Sequence, residues 1–350
     1  MGVKMKNKGI IILIIILIIS MITAGVILTL KILKTKEERK DLAVQTPIEE
    51  EIETVEIIPP KKVEIYSGND RPIAVMIDNH KGAWPQANLN EAYMVYEIIV
   101  EGAETRLMAL FKGKNLEKIG PVRSSRHYFL DYAEENDAIY VHYGWSPKAE
   151  SDISTYRINN INGLVESTAI FWRVSDKSAP HNAVTSTEKI LKSAQNHGYR
   201  TNSISESVLK YTTDEVILEN GQDATTVDIP ISYLQKVNYK YDAERKVYVR
   251  YARGEKQVDW ETGADVVTKN IIISFMDNAS IDSYGRQDLY NIGTKDGYYI
   301  TNGKAIPITC TKNSRFEKTI YRDLQGEEIK VNDGNTFVQI CPSNTKVSFE

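Results

Sequence analysis

From residue 9 to residue 30 the chain reads GIIILIIILIISMITAGVILTL, 22 positions without a charge, and a helix of that length crosses a bilayer core of about 30 Å. Downstream the apolar positions break into short runs. RPIAVMIDNH and DAIYVHYGWSP end in turn residues and predict strands. SSRHYFLDYAEEN and TSTEKILKSAQNHG carry serine or threonine where a helix cap belongs and predict helices, the second stopping at Gly198. After about residue 210 the pattern becomes alternation with turn signals. VNYKYDAERKVYVRY reads as a hairpin, YYITNGKAIPITC folds back at Asn-Gly, and YRDLQGEEIKVNDGNTFVQIC brings two more strands. Tyr239, Tyr241, Tyr248 and Tyr251 are expected to pack on that sheet with their hydroxyls at its rim.

These patterns predict an α+β or α/β N-terminal globular domain and a mostly β C-terminal domain behind a single N-terminal transmembrane helix. The expected divisions are an anchor over 1–34, an acidic, Pro-containing tether over 35–65 that includes EEEIETVEIIPPKK, an α/β domain over 66–208 and a β domain over 209–350. All five histidines, His80, His127, His142, His181 and His197, precede residue 200, which supports the last boundary. The apolar N-terminal run exceeds the core of a cleaved signal peptide, and with no cysteine near it, lipid attachment at an N-terminal Cys is excluded. Lys4, Lys6 and Lys8 before the span are balanced by Lys31, Lys34, Lys36, Arg39 and Lys40 after it. A short basic tail inside and one long region outside is the common plan, so the expected location is the cell membrane, single-pass, with the soluble domains extracytoplasmic.

Composition narrows the chemistry. The formal net charge is −4 and no long basic face is visible, which argues against nucleic acid as a partner. Phosphate-loop, dinucleotide, His-Glu-x-x-His and nucleophile-elbow signatures are absent. Cys310 and Cys341, the only cysteines, sit near strand ends, where a disulfide and two free buried thiols are both open readings, and neither has a His or second Cys at metal spacing. No cofactor is expected.

Candidate chemistry gathers between residues 92 and 182. If residues 101–104 turn the hairpin in AYMVYEIIVEGAETRLMALF, Val100 pairs with Thr105, Ile99 with Arg106 and Glu97 with Met108. Tyr96, Ile98, Val100, Thr105, Leu107, Ala109 and Phe111 then form the core face, and Arg106 lies opposite it, diagonal to Glu97 and Glu101. FKGKNLEKIGPVRSSR is expected to return as a neighbouring strand and deliver Arg123 and Arg126 to the next helix start. There free amides and the helix dipole favour an anion, and a bare cation is disfavoured. Arg173, His181 and Asn182, with His142 and Trp145, lie at loops or strand ends able to ring the same crevice. The expected anion site is therefore Arg106, Arg123, Arg126, Arg173, His181 and Asn182, with Asp78, Glu97 and Glu101 as supporting acids, unless nearby carboxylates close the arginines off as a structural corner.

RPIAVMIDN, YEIIVEGAETRLMALF, KIGPVRSSRHYFLDYA, YVHYGWSP, SAPHN and DGNTFVQICP together resemble the YerB-like lipoprotein family (domain of unknown function 3048), over roughly residues 68–348. The resemblance implies a two-part envelope domain and supplies no reaction; where family members carry a lipidated cysteine, this chain has a full span. A fainter resemblance is to the LytR-CpsA-Psr glycopolymer transferases, through Arg106 followed by Pro121-Val122-Arg123. It implies a phosphorylated, lipid-linked glycan as partner and a divalent metal, which would have to come from Asp78, Glu97 or Glu101, because Met108 and Ser124 stand where those enzymes have Asp. The readings from different classes are thus a membrane-tethered anion-binding or scaffolding module, contacting an envelope protein or ligand, and an envelope transferase or hydrolase on polyprenyl-phosphate-linked glycans.

Overall fold

The computed structural model describes residues 6–41 and 61–350, which form two units divided at residue 60. The first contains helix α1 (Lys6–Asp41), and its Ile12–Glu37 stretch is long and apolar enough to cross a membrane. Isoleucines and leucines cover all sides of it and remain exposed, as a lipid-facing helix requires. The helix continues through 35–41, where a tether is expected, because TKEERKD lacks any helix breaker. The rest of the tether up to residue 60 lies outside the described residues.

The second unit is built on an eleven-stranded sheet. Its N-terminal half is β1 (Ile73–Asp78), β2 (Met94–Ile99), β3 (Thr105–Phe111), β4 (Ile139–His142) and β5 (Asn160–Asn162). Three further strands, β6 (Thr226–Pro230), β7 (Lys236–Asp242) and β8 (Val247–Ala252), form the body of a separate six-stranded antiparallel sheet. The chain then rejoins the large sheet with β9 (Asn270–Met276), β10 (Gly293–Thr301), β11 (Lys304–Lys312), β12 (Ile320–Asp323) and β13 (Thr336–Pro342). The order across it is β12-β11-β10-β9-β13-β2-β3-β1-β4-β5, with the short strand Gln222–Asp223 also on β11. The sequence boundary near 208 therefore divides the chain but not the sheet, since β13 runs parallel to both β2 and β9.

Both faces of the sheet are buried. Helices α2 (His127–Glu135) and α3 (Pro147–Tyr156) cover one, through Tyr128, Phe129, Tyr132 and Ile153 against Met76, Tyr96, Met108 and Val338. The six-stranded sheet and α4 (Thr187–Asn196) cover the other, through Val227, Tyr239, Tyr248 and Ile190 against Val75, Val95, Leu107 and Phe337. At about 25 cal/mol per Å² of apolar surface, these two interfaces are the main stabilising term.

Several expectations are corrected. The β2–β3 register is shifted by one: Ile99 pairs with Thr105, Ile98 with Arg106 and Glu97 with Leu107. Arg106 thus shares a face with Tyr96 and Ile98, while Glu97 shares one with Thr105 and Leu107. The loop holds five residues instead of four, and the 3-10 turn Glu101–Ala103 uses the extra position. The segment carrying Arg123 and Arg126 is no strand; it makes single bridges, Val122 with Ile77 and Ser125 with Trp145. Helix α2 has no serine cap: Arg126 occupies the cap position, and the Ser125 hydroxyl accepts from the Tyr140 hydroxyl at 2.9 Å. Helix α4 is capped as expected, Ser186 accepting from the Lys189 amide. Tyr239 and Tyr248 are fully buried, and Cys310 and Cys341 are free, buried thiols, with burial pushing Cys310 up to about 12.

Candidate functional site

The end of β1 organises the site. Residues 73–75 pair with β4, but beyond them residues 121–123 take over as neighbour: the Asp78 amide donates to the Pro121 carbonyl at 2.9 Å and the Arg123 amide to the Met76 carbonyl at 2.9 Å. Gly120 permits this corner, at φ 137°, where a Cβ would stand 2.9 Å from the Val122 nitrogen and 3.2 Å from the Ala183 carbonyl. Arg123 is thereby set beside Asp78.

Asp78 is nearly buried and is the hub. Its Oδ2 receives His181 Nδ1 at 2.7 Å and lies 3.3 Å from Arg123 Nε, and its Oδ1 accepts the His80 amide at 3.0 Å. The rings of His80 and His181 stack at 4.3 Å and 9°. Gly82 is the floor of this stack; a Cβ there would meet His181 at 3.1 Å and His80 Nδ1 at 3.2 Å. The Gly82 amide donates to His80 Nδ1 at 3.0 Å.

These groups border an open cleft of about 180 Å³, whose other wall carries Arg106, Glu101 and Glu104. Larger grooves exist, including one of about 430 Å³ beside Lys112 and Asp333, but this cleft combines histidines, arginines and carboxylates. Glu101 takes Arg126 through both its oxygens and Arg106 through Oε1. Burial pushes the Glu101 carboxyl up, but the Arg126 hydrogen bond and the charges of Arg106 and Arg126 outweigh it and hold the group at about 2. Burial and the like charge of Arg126 lower Arg106 to about 10, so it stays charged at neutral pH. Glu104 is bound from behind by Arg253. Four arginines thus face the three carboxylates Asp78, Glu101 and Glu104. Arg123, with 27% of its side chain exposed, approaches Asp78 through Nε, and its two terminal nitrogens make no hydrogen bond to protein among the described residues.

Of the residues read from the sequence as an anion site, Arg106, Arg123 and His181 meet here with Asp78 and Glu101. Arg126 sits behind the wall, buried against Glu101. The Ser125 amide, expected to help hold an anion, donates instead to the Gly144 carbonyl at 2.9 Å. Arg173 and Asn182 are elsewhere, bonded to each other at 2.6 Å, with Arg173 lying over the Tyr143 ring. His142 is buried between the Gly144 carbonyl and Asn160, and burial lowers it to about 4. Glu97 is fully buried against Arg250 at 2.8 Å, on the other face of the sheet from Arg106. Asp78, Glu97 and Glu101, the acids offered to a divalent metal by the transferase resemblance, are each paired with different arginines and do not fit a shared metal. His80 was not singled out from the sequence; its position two residues after the strand-ending Asp78 was the available signal.

The fold and cleft define a class: a mixed α/β body with a His-Asp-Arg cleft at a strand end, preceded in the chain by an apolar helix. The chain belongs to the DUF3048 family. The profile described as "Protein of unknown function (DUF3048) N-terminal domain" matches residues 60–200, and the corresponding C-terminal domain matches residues 227–338. Over 278 residues, 79% of this chain and 80% of the relative, it is 31% identical to "Putative lipoprotein YerB" of Bacillus subtilis (strain 168). The crystal structure of YerB protein from Bacillus subtilis has the same fold, with a TM-score of 0.73 and 29% identity over 83% of this chain and 97% of that one.

Proposed function

We propose that this protein is a membrane-anchored, extracytoplasmic module that binds a phosphate-like anionic group in the cleft between Arg123, His80 and Arg106. The observation that carries the reading is Arg123: its guanidinium lies on the cleft wall with Nε 3.3 Å from Asp78, and among the described residues its terminal nitrogens make no hydrogen bond to protein, which leaves them for the bidentate contact that arginine makes to phosphate oxygens. The excess of one arginine over the carboxylates favours an anion over a cation. Full-length protein in detergent micelles, titrated with inorganic pyrophosphate, is expected to gain thermal stability with concentration by mass action, about 2.7 kcal/mol at one hundred times the dissociation constant. Arg123→Ala is expected to abolish that gain while costing less than about 1 kcal/mol without ligand, because the pair is partly exposed and Asp78 keeps His181 and the His80 amide. No stabilisation of the wild type at millimolar pyrophosphate refutes the site.

The location rests on the exposed apolar helix and on a lipoprotein relative. A reporter active only outside the cytoplasm, fused after Glu350, is expected to give signal. Signal from a cytoplasm-only reporter at the same place would overturn the topology.

A further inference from the structure

The two stacked histidines are held in opposite tautomers. His181 donates its Nδ1 proton to the Asp78 carboxylate at 2.7 Å, which leaves the neutral ring with its lone pair on Nε2. His80 accepts the Gly82 amide at Nδ1, so its neutral ring carries the proton on Nε2. Among the described residues, neither Nε2 has a protein partner, and both rings border the cleft. An imidazole oriented by a buried carboxylate is the arrangement of a general base, and a neutral imidazole N–H beside it is a hydrogen-bond donor to a developing oxyanion. Thr105, the one hydroxyl side chain on the cleft wall among the described residues, is occupied as donor to Glu97 at 2.7 Å, so no free hydroxyl among them faces the base, which is left to act on water.

We infer that the cleft hydrolyses an ester of phosphoric acid, with His181 as the base; this rests on the phosphate-binding reading above. Arg123 holds the phosphate oxygens and His80 Nε2–H donates to one of them. His181 Nε2 takes a proton from water as the water oxygen bonds to phosphorus. The ester P–O bond breaks with its electron pair on the leaving oxygen, which takes a proton from solvent, and His181 returns its proton to solvent. The products are an alcohol and a phosphate, with water the only co-reactant. Asp78 is a positioning residue: it fixes the His181 tautomer and stabilises the imidazolium that forms between the two proton transfers.

The test uses full-length protein in micelles with p-nitrophenyl phosphate and bis(p-nitrophenyl) phosphate, alongside the pyrophosphate titration. The wild type is expected to release nitrophenolate from at least one probe. His181→Gln is expected to lower the rate at least 100-fold and Asp78→Asn at least tenfold, whereas His197→Ala, on the distant Glu166 pair, leaves it unchanged. Imidazole ¹⁵N shifts are expected to show the Nδ1–H tautomer of His181 in the wild type and its loss in Asp78→Asn, a change that a merely structural role for Asp78 would not require. Should His181→Gln fail to fold, Arg123→Ala serves instead, with an expected rise in KM of at least tenfold. Pyrophosphate binding without nitrophenolate from either probe overturns the hydrolysis and leaves the binding reading intact. Absence of binding overturns both, and an unchanged rate in a folded His181→Gln overturns the assignment of the base.

Discussion

Glu101 balances two buried guanidinium groups at once, Arg126 and Arg106, and this decides what most of the GPVRSSR stretch does. A cation in the first turn of a helix opposes the dipole, and that conflict is visible in the sequence. Its resolution is a carboxylate 25 residues upstream on a hairpin turn, which only the fold reveals. Arg126 is consequently a brace, and Arg123 alone keeps nitrogens for a ligand. Removing the carboxylate leaves two guanidiniums without their counter-charge, so Glu101→Gln is expected to cost roughly 3 kcal/mol at pH 7 in denaturant unfolding. The folded carboxyl is held at about 2 against an ordinary value of 4.5, so its contribution is complete above pH 4.5 and disappears as the pH falls toward 2. Wild type and Glu101→Gln are therefore expected to converge in stability near pH 2. Equal stabilities at pH 7 would show that Glu101 braces nothing.

At the scale of elements, legibility followed the burial pattern. The hairpin β7–β8 and the Asn302-Gly303 turn between β10 and β11 lie where the sequence places them, because alternation there reports a real difference between the two faces and the turn residues are specific. The β2–β3 register is not legible in the sequence, for the opposite reason. Every residue of β3 is buried, so its two faces read alike and a shift of one leaves the hydrophobic pattern equally satisfied. The shift sets Arg106 on the face of Glu97 instead of that of Tyr96, whereas the partner of Glu97 lies 153 residues downstream. Ser186 caps its helix as the sequence predicts because its side chain is free to accept, whereas Ser125 does not because a tertiary partner, Tyr140, claims its hydroxyl. The candidate site was legible in Arg106, Arg123, His181 and Asp78 as residue types near strand ends. Their separation from Arg173 and Asn182 depends on loop paths that carry no period.

At the scale of the whole second unit, the sheet order explains why two sequence regions behave as one body. Strand β13, nearly the last of the chain, is inserted between β2 and β9, so the centre of the sheet is completed by the C-terminal region. The six-stranded sheet then closes over the face that carries Glu97, and Arg250 on β8 reaches down to it at 2.8 Å with both side chains fully buried. Thr105, Asn79 and Gln235 surround the same carboxylate. Such a pair gains its attraction only by losing the hydration of both charges, so its net worth is small while the cost of breaking it is large. Arg250→Met, which strands Glu97 without a counter-charge, is expected to destabilise the protein by about 3–5 kcal/mol. Glu97→Leu combined with Arg250→Met removes both charges and fills much of the space, and is expected to recover most of that loss, with a coupling energy of at least about 1 kcal/mol in the double-mutant cycle. Because the pair spans the two sheets, denaturant unfolding of each variant is expected to remain a single transition for residues 61–350. Additive losses in the cycle would show that Glu97 and Arg250 do not act as a pair, and two separate transitions would show that the regions on either side of residue 208 fold independently despite their common sheet.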